Sequence, residues 1–152
     1  MLFVPIERVS STHFKAFVMG DRRMNVLIID PDWQFTEQAM TTLERKGSVV
    51  LSQPDPDHAL NQARAWRPDV VIVAAELAPS GVLEELSALP QRPGILLTGW
   101  MDRTDLVWRA WQRGGDELLM KPLMKASELH AAIVAALESA AVGKRTAAAA
   151  SA

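Results

Sequence analysis

Three polar side chains stand directly after apolar runs, where their chemistry could be used. Asp30 follows NVLII, Thr98 ends GILLT, and Lys121 follows ELLM. Carboxylate oxygens suit a hard cation, and lysine with threonine can compensate negative charge that enters a pocket. The apolar run VVIVAA, at the start of the stretch VVIVAAEL, ends differently, in Ala74 and Ala75, whose methyl groups cannot act as nucleophiles. Lys121 and Thr98 can therefore compensate negative charge, but the third apolar run along the chain ends without a carboxylate that could act as a nucleophile.

These residues are positioned by an alternation of strand and helix that occurs five times. Apolar runs predict strands at 25–29, 49–51, 69–75, 94–98 and within 114–120. Apolar residues at helical spacing predict helices that begin at Asp32 and end at Gly47, cover 54–66, surround Val82–Leu86, and span about 103–113 and 126–140. The apolar stripes of the first and last helices are Phe35, Ala39 and Leu43, and Leu129, Ile133 and Leu137. Such alternation implies parallel strands joined by right-handed crossovers. We therefore predict an α/β fold with a doubly wound, five-stranded parallel sheet of flavodoxin-like order 2-1-3-4-5.

In a doubly wound sheet the functional site lies at the carboxyl ends of the strands. The residues at those ends are Asp30, Pro31, Asp32, Ala74, Ala75, Glu76, Thr98, Gly99 and Lys121. Asp69 and Asp116 precede their strands, so we expect both at the opposite end of the sheet.

Composition limits the class of protein. The 152 residues suit a single domain, and the net charge of −2 does not favour binding to nucleic acid or to an anionic membrane. Cysteine is absent, which excludes disulfides and thiolate metal sites and is compatible with a cytoplasmic location. No apolar run predicts a membrane helix. We predict an N-terminal arm or extension over 1–23, the folded domain over 24–140 and a disordered tail over 141–152.

Four stretches in order resemble the receiver domain of bacterial response regulators. They are VLIIDPD, PDVVIVAA, ILLTG and GGDELLMKPL, and the resemblance covers residues 24–140. It implies that two adjacent acids after strand one bind Mg²⁺, that an aspartate on strand three accepts a phosphoryl group, and that Thr98 and Lys121 contact that group. Leu118 stands where an aromatic switch residue is common in the family.

The chain departs from this pattern at two places. Asp30 matches the first acid, but Pro31 replaces the second, and Asp32 comes one position later. The acceptor position is Ala74 when counted from Pro68 and Ala75 when counted back from Pro79. Both residues are alanine, so we interpret the chain as a degenerate receiver with a remnant of the pocket.

The resulting expectation is a stand-alone, non-enzymatic signalling domain of a phosphorelay-type system. We expect no phosphorylation on aspartate, no cofactor and no metal. A protein partner, a homodimer or both would use the face formed by helix four, strand five and helix five. Trp100 and Trp108 are the candidate contact residues, because tryptophan is enriched at the centres of interfaces.

Other interpretations stay open at this point. One is a flavodoxin-like domain that binds a small ligand and is unrelated to phosphorelay. Another keeps phosphorylation through Asp32, although Pro31 disrupts the metal site on the same loop. Asp30 and Lys121 could form an ion pair, and Glu76 could approach Lys121 in imitation of a phosphoryl group.

Overall fold

The computed structural model describes the backbone of residues 23–151 and the side chains of residues 23–143. The predicted N-terminal arm, 1–23, lies outside the described residues except for Arg23. Within the described part of the chain, no helix is long and apolar enough to cross a membrane.

The predicted sheet is confirmed. Its strands are β1 (Asn25–Ile29), β2 (Val49–Ser52), β3 (Val70–Ala74), β4 (Gly94–Trp100) and β5 (Glu117–Lys121). They form one five-stranded sheet in the order β2-β1-β3-β4-β5, and every pair is parallel. The central strands are continuous apolar runs because helices cover both faces of the sheet.

In the described part of the chain, five α-helices connect or follow the strands. They are α1 (Trp33–Arg45), α2 (Pro56–Trp66), α3 (Val82–Ser87), α4 (Thr104–Arg113) and α5 (Ala126–Ser151). Asp32 caps α1 as predicted, since its side chain accepts a hydrogen bond from the Phe35 backbone N–H at 3.2 Å. The predicted loop after β3 is instead a 3₁₀-helix, Ala75–Ser80, and a second 3₁₀ segment, Met101–Arg103, precedes α4.

Each face of the sheet has its own hydrophobic core. Helices α1 and α5 cover one face with Phe35, Ala39, Leu43, Leu129, Ile133 and Leu137, which are the residues that the helical spacing singled out. Helices α2, α3 and α4 cover the other face, with Leu60, Val82 and Val107 among their buried residues. Trp66 and Trp111 pack against this second core while partly exposed.

Two acidic residues make polar contacts at the amino end of the sheet. Asp69 accepts a hydrogen bond from the Asn25 backbone N–H at 2.8 Å, and Asp116 forms an ion pair with Arg92 at 2.8 Å. The prediction that Asp69 and Asp116 lie away from the carboxyl ends of the strands is confirmed.

The C-terminal segment differs from its prediction. Helix α5 continues to Ser151, through the residues for which the sequence analysis expects a disordered tail. The physical reason is the composition of this segment, since alanine has the highest helix propensity and a helix already formed extends at little cost.

Candidate functional site

The register of the strands brings the predicted site residues to one face of the sheet. Ala74 pairs with Thr98 across β3 and β4, and Trp100 pairs with Lys121 across β4 and β5. Side chains alternate along a strand, so Thr98 and Lys121 lie on the same face as Ala74. Asp30 follows Ile29, the partner of Val73, and therefore shares that face as well. The face is the one covered by α1 and α5.

A buried ion pair is the centre of this site. The Lys121 ammonium lies 2.7 Å from Asp30 Oδ2, and the two side chains are 1% and 0% exposed. The Thr98 hydroxyl donates to the same Asp30 oxygen at 3.2 Å. The other carboxylate oxygen, Asp30 Oδ1, accepts the Asp32 backbone N–H at 2.8 Å. The predicted Asp30–Lys121 pair is thus confirmed, and three donors satisfy the buried carboxylate.

Asp32 has two roles at the end of β1. One oxygen caps α1, and the other lies 3.5 Å from the Lys121 ammonium. The contact is looser than the Asp30 pair, and the Asp32 side chain is partly exposed. Pro31, between the two acids, is exposed and supplies no metal ligand.

Two aromatic rings complete the surroundings of Lys121, and the sequence analysis did not assign them to the pocket. The ammonium lies 4.8 Å from the centre of the Phe35 ring and 5.6 Å from that of a Trp100 ring. Both distances allow cation–π attraction. Phe35 was placed in the helix core and Trp100 on the partner surface. The available signal was the position of Phe35 in the first turn of the helix after Asp30.

The two alanines separate in the structure. Ala74 is the last residue of β3 and lies in phase with Asp30, Thr98 and Lys121. Ala75 begins the 3₁₀-helix and belongs to the core on the opposite face of the sheet. A side chain at position 74 therefore points toward the ion pair, whereas one at position 75 does not.

A cavity of ≈ 230 Å³ lies beside the ion pair, between β4 and α4. Its lining includes Glu76, Thr98, Trp100, Arg103 and Lys121. Glu76 is exposed, and no ion pair joins it to Lys121 among the described residues. Within the described chain, no cluster of His, Cys, Asp and Glu is arranged to hold a metal ion.

The predicted contact residues lie at the surface near α4. Trp100 is 42% exposed and Trp108 is 61% exposed, and the adjacent Met101 is 68% exposed. Val107 and Ala110 form the buried side of α4, so Trp108 projects from the other side of the helix.

The chain is similar in sequence to curated response regulators. The chain is 29% identical over 122 residues to the DNA-binding response regulator MtrA of Mycobacterium bovis and of Mycobacterium tuberculosis, covering 78% of this chain and 53% of theirs. The chain thus spans about half the length of these curated relatives. No family model matches it.

Solved structures share the fold. A response regulator receiver domain protein from Clostridium thermocellum matches with a TM-score of 0.65 and 22% identity, over 78% of this chain and 98% of that one. The receiver domain of NtrX from Brucella abortus matches with a TM-score of 0.65 and 20% identity, over 74% and 98% of the two chains. The similarities do not favour a flavodoxin-like ligand-binding domain unrelated to phosphorelay.

Proposed function

Because the sequence and fold similarities support a response regulator receiver domain of the two-component type, we propose that this chain is a pseudo-receiver. It keeps the receiver fold, accepts no phosphoryl group on aspartate, catalyses no reaction and acts through contacts with protein. The observation that carries the proposal is the alanine at position 74, in phase with Asp30, Thr98 and Lys121.

The first support is the missing nucleophile. Phosphorylation of a receiver needs a carboxylate between the lysine and the threonine of the pocket. Ala74, which pairs with Thr98 and is in phase with Lys121, is our candidate for that position, and its side chain is a methyl group. Ala75, the other candidate, packs in the core on the far side of the sheet.

The second support is that the remaining polar side chains of the pocket already bind one another. Asp30 already holds both the Lys121 ammonium and the Thr98 hydroxyl. The Asp30 side chain is buried, and both of its oxygens already accept hydrogen bonds. We expect the domain to have a single signalling state, regulated by its abundance or by its partners.

Treatment with acetyl phosphate and Mg²⁺ tests this proposal directly. We expect the intact mass of the protein to stay unchanged, while a receiver domain with the complete acidic set gains a phosphoryl group under the same conditions. A hydroxylamine-sensitive adduct on this chain contradicts the proposal. Asp30→Asn and Asp32→Asn variants would then locate the adduct, which also tests the interpretation that Asp32 is the acceptor.

The contact surface is the second part of the proposal. Trp100, Met101 and Trp108 are large apolar side chains exposed near the face formed by α4, β5 and α5. Such exposure is typical of interface anchors, since buried tryptophan contributes strongly to binding. A protein partner, a second copy of this chain or both would bury this surface.

Sedimentation velocity and a pull-down separate these two cases. The Trp108→Ala variant should lose self-association or lose a specific partner that the intact protein retains. Val49→Ala is the control, because Val49 is 37% exposed on β2, the edge strand farthest from β5 in the sheet. Equal behaviour of Trp108→Ala and the intact protein in both assays would rule out this surface.

A further inference from the structure

A second cleft lies between α1 and the edge strand β2, and it shares Asp30 and Pro31 with the predicted receiver pocket. Its volume is ≈ 450 Å³, within the range of about 300–1,000 Å³ that small-molecule sites occupy. One helical stripe of α1 forms one wall with Trp33, Glu37, Met40 and Glu44, and Pro54 lies on the opposite side. The cleft thus combines apolar surface with two carboxylates.

The negative charge of the cleft favours a positively charged ligand. Glu37 and Glu44 are exposed, and neither has an ion-pair partner among the described residues. Asp30 also borders the cleft, but its charge is compensated by Lys121. Of the described residues that line the cleft, none is lysine or arginine. A cation is therefore attracted to this cleft, and an anion such as a phosphate is repelled.

Aromatic and apolar surfaces define the rest of the ligand. The Trp33 side chain is largely exposed at the mouth of the cleft, and an indole face attracts an ammonium group. Pro31, Met40 and Pro54 provide contacts for a hydrocarbon body.

An unsatisfied polar group lies in the same wall. Thr36 lines the cleft, is 8% exposed, and its hydroxyl has no hydrogen-bond partner. Most buried hydroxyls in native structures are partnered, so this one needs an explanation. In the observed rotamer the hydroxyl oxygen is buried, and threonine in a helix has a second accessible χ1 rotamer. Contact between this hydroxyl and a bound ammonium group therefore requires a change of rotamer.

We propose that this cleft binds a small organic cation, a protonated primary amine carried on a hydrocarbon body. The ammonium group lies between Glu37 and Glu44, within reach of the Trp33 ring. The hydrocarbon body contacts Met40 and the prolines. This cleft borders the phosphoacceptor pocket at Asp30 and Pro31, but the proposed binding does not depend on the absence of phosphorylation.

Titration of the full-length chain with phenethylammonium tests the proposal by NMR. The indole N–H resonance of Trp33, identified by its loss in Trp33→Phe, should shift and saturate at about millimolar concentrations, as expected for a fragment of this size. Phenylethanol and phenylpropionate are the matched neutral and anionic probes. Neither should shift that resonance at the same concentration, and equal shifts with either probe overturn the proposal.

Charge variants identify the site. Glu37→Gln combined with Glu44→Gln should weaken phenethylammonium binding by about three- to tenfold, as expected when two exposed charges are removed. Asp102→Asn combined with Asp105→Asn is the matched control, because it changes the net charge equally on the exposed surface around α4. If the control weakens binding as much as the glutamate variant, the attraction is general and the cleft is not the site.

A further titration, with a peptide, distinguishes a small free amine from a basic protein segment as the ligand of the cleft. A blocked Phe-Lys dipeptide carries the same ammonium chemistry on a backbone. If this peptide shifts the Trp33 resonance and phenethylammonium does not, the cleft is a docking site for a basic segment and the small-ligand proposal is overturned.

Discussion

Replacing Lys121 by methionine should destabilise the protein by about 3 kcal/mol, because it leaves the Asp30 carboxylate buried without its cation. Breaking a buried ion pair by removal of one partner costs about 3–5 kcal/mol. The lower end applies here, since Asp30 keeps two donors, the Thr98 hydroxyl at 3.2 Å and the Asp32 backbone N–H at 2.8 Å. Methionine preserves most of the side-chain volume and can still contact Phe35.

Asp30→Asn is the second substitution of a double-mutant cycle with Lys121→Met. Alone it leaves the Lys121 ammonium buried, with Asp32 at 3.5 Å as its remaining acidic neighbour. The double variant contains no buried charge at either position and should recover part of the loss. We expect a coupling energy of about 2 kcal/mol between the two substitutions, toward the upper part of the range for residues in contact.

Urea unfolding followed by circular dichroism measures all four free energies of the cycle. Arg113→Met is the control, because the Arg113–Glu84 pair at 2.9 Å is exposed and should contribute less than about 1 kcal/mol. The cost of Lys121→Met should change little with salt, because buried charges are weakly screened. A loss no larger than that of Arg113→Met, or strictly additive substitutions, would refute the reasoning.

Three further predictions concern stability. Thr36→Val should raise the free energy of unfolding by about 1 kcal/mol in urea unfolding, because it removes a buried hydroxyl without a partner; a loss of stability would indicate that the hydroxyl is satisfied. Gly99→Ala should cost about 1–3 kcal/mol, since its Cβ would lie 2.2 Å from Val107 Cγ2; thermal unfolding of this variant with and without Val107→Ala tests whether that contact is the cause. Burial, together with the nearby Lys46 charge, lowers the pKa of His130 below its ordinary value, so the unfolded state binds the proton more readily. Stability should therefore fall as the pH falls through about 6.5, and less steeply in His130→Gln; equal pH dependence of the two proteins by urea unfolding would contradict this reasoning.

The fold was predictable because its signals are local. Continuous apolar runs marked the strands, and the helical spacing of Phe35, Ala39 and Leu43 marked the buried face of α1. The cap at Asp32 depends on three neighbouring residues, and it formed as predicted. The helical C-terminal segment was missed because its low complexity was given more weight than the helix propensity of alanine.

The site was predictable only in part. The carboxyl ends of parallel strands meet at one edge, so topology alone grouped Asp30, Thr98 and Lys121. The sequence could not decide between Ala74 and Ala75, because a shift of one residue moves a side chain to the opposite face of the sheet. In the observed register Ala74 is in phase with the ion pair, and Ala75 belongs to the core on the opposite face of the sheet.

The sequence by itself determined the class of fold, the location of the pocket and the absence of an acid on the third strand. These properties depend on residue type and on short-range periodicity. Only the tertiary structure decided that Asp30 binds both Lys121 and Thr98, that Phe35 and Trp100 lie beside the ammonium, and that an acidic cleft with Trp33 lies along α1. Those contacts join residues far apart in the chain, and they depend on strand register and side-chain rotamers that no local pattern specifies.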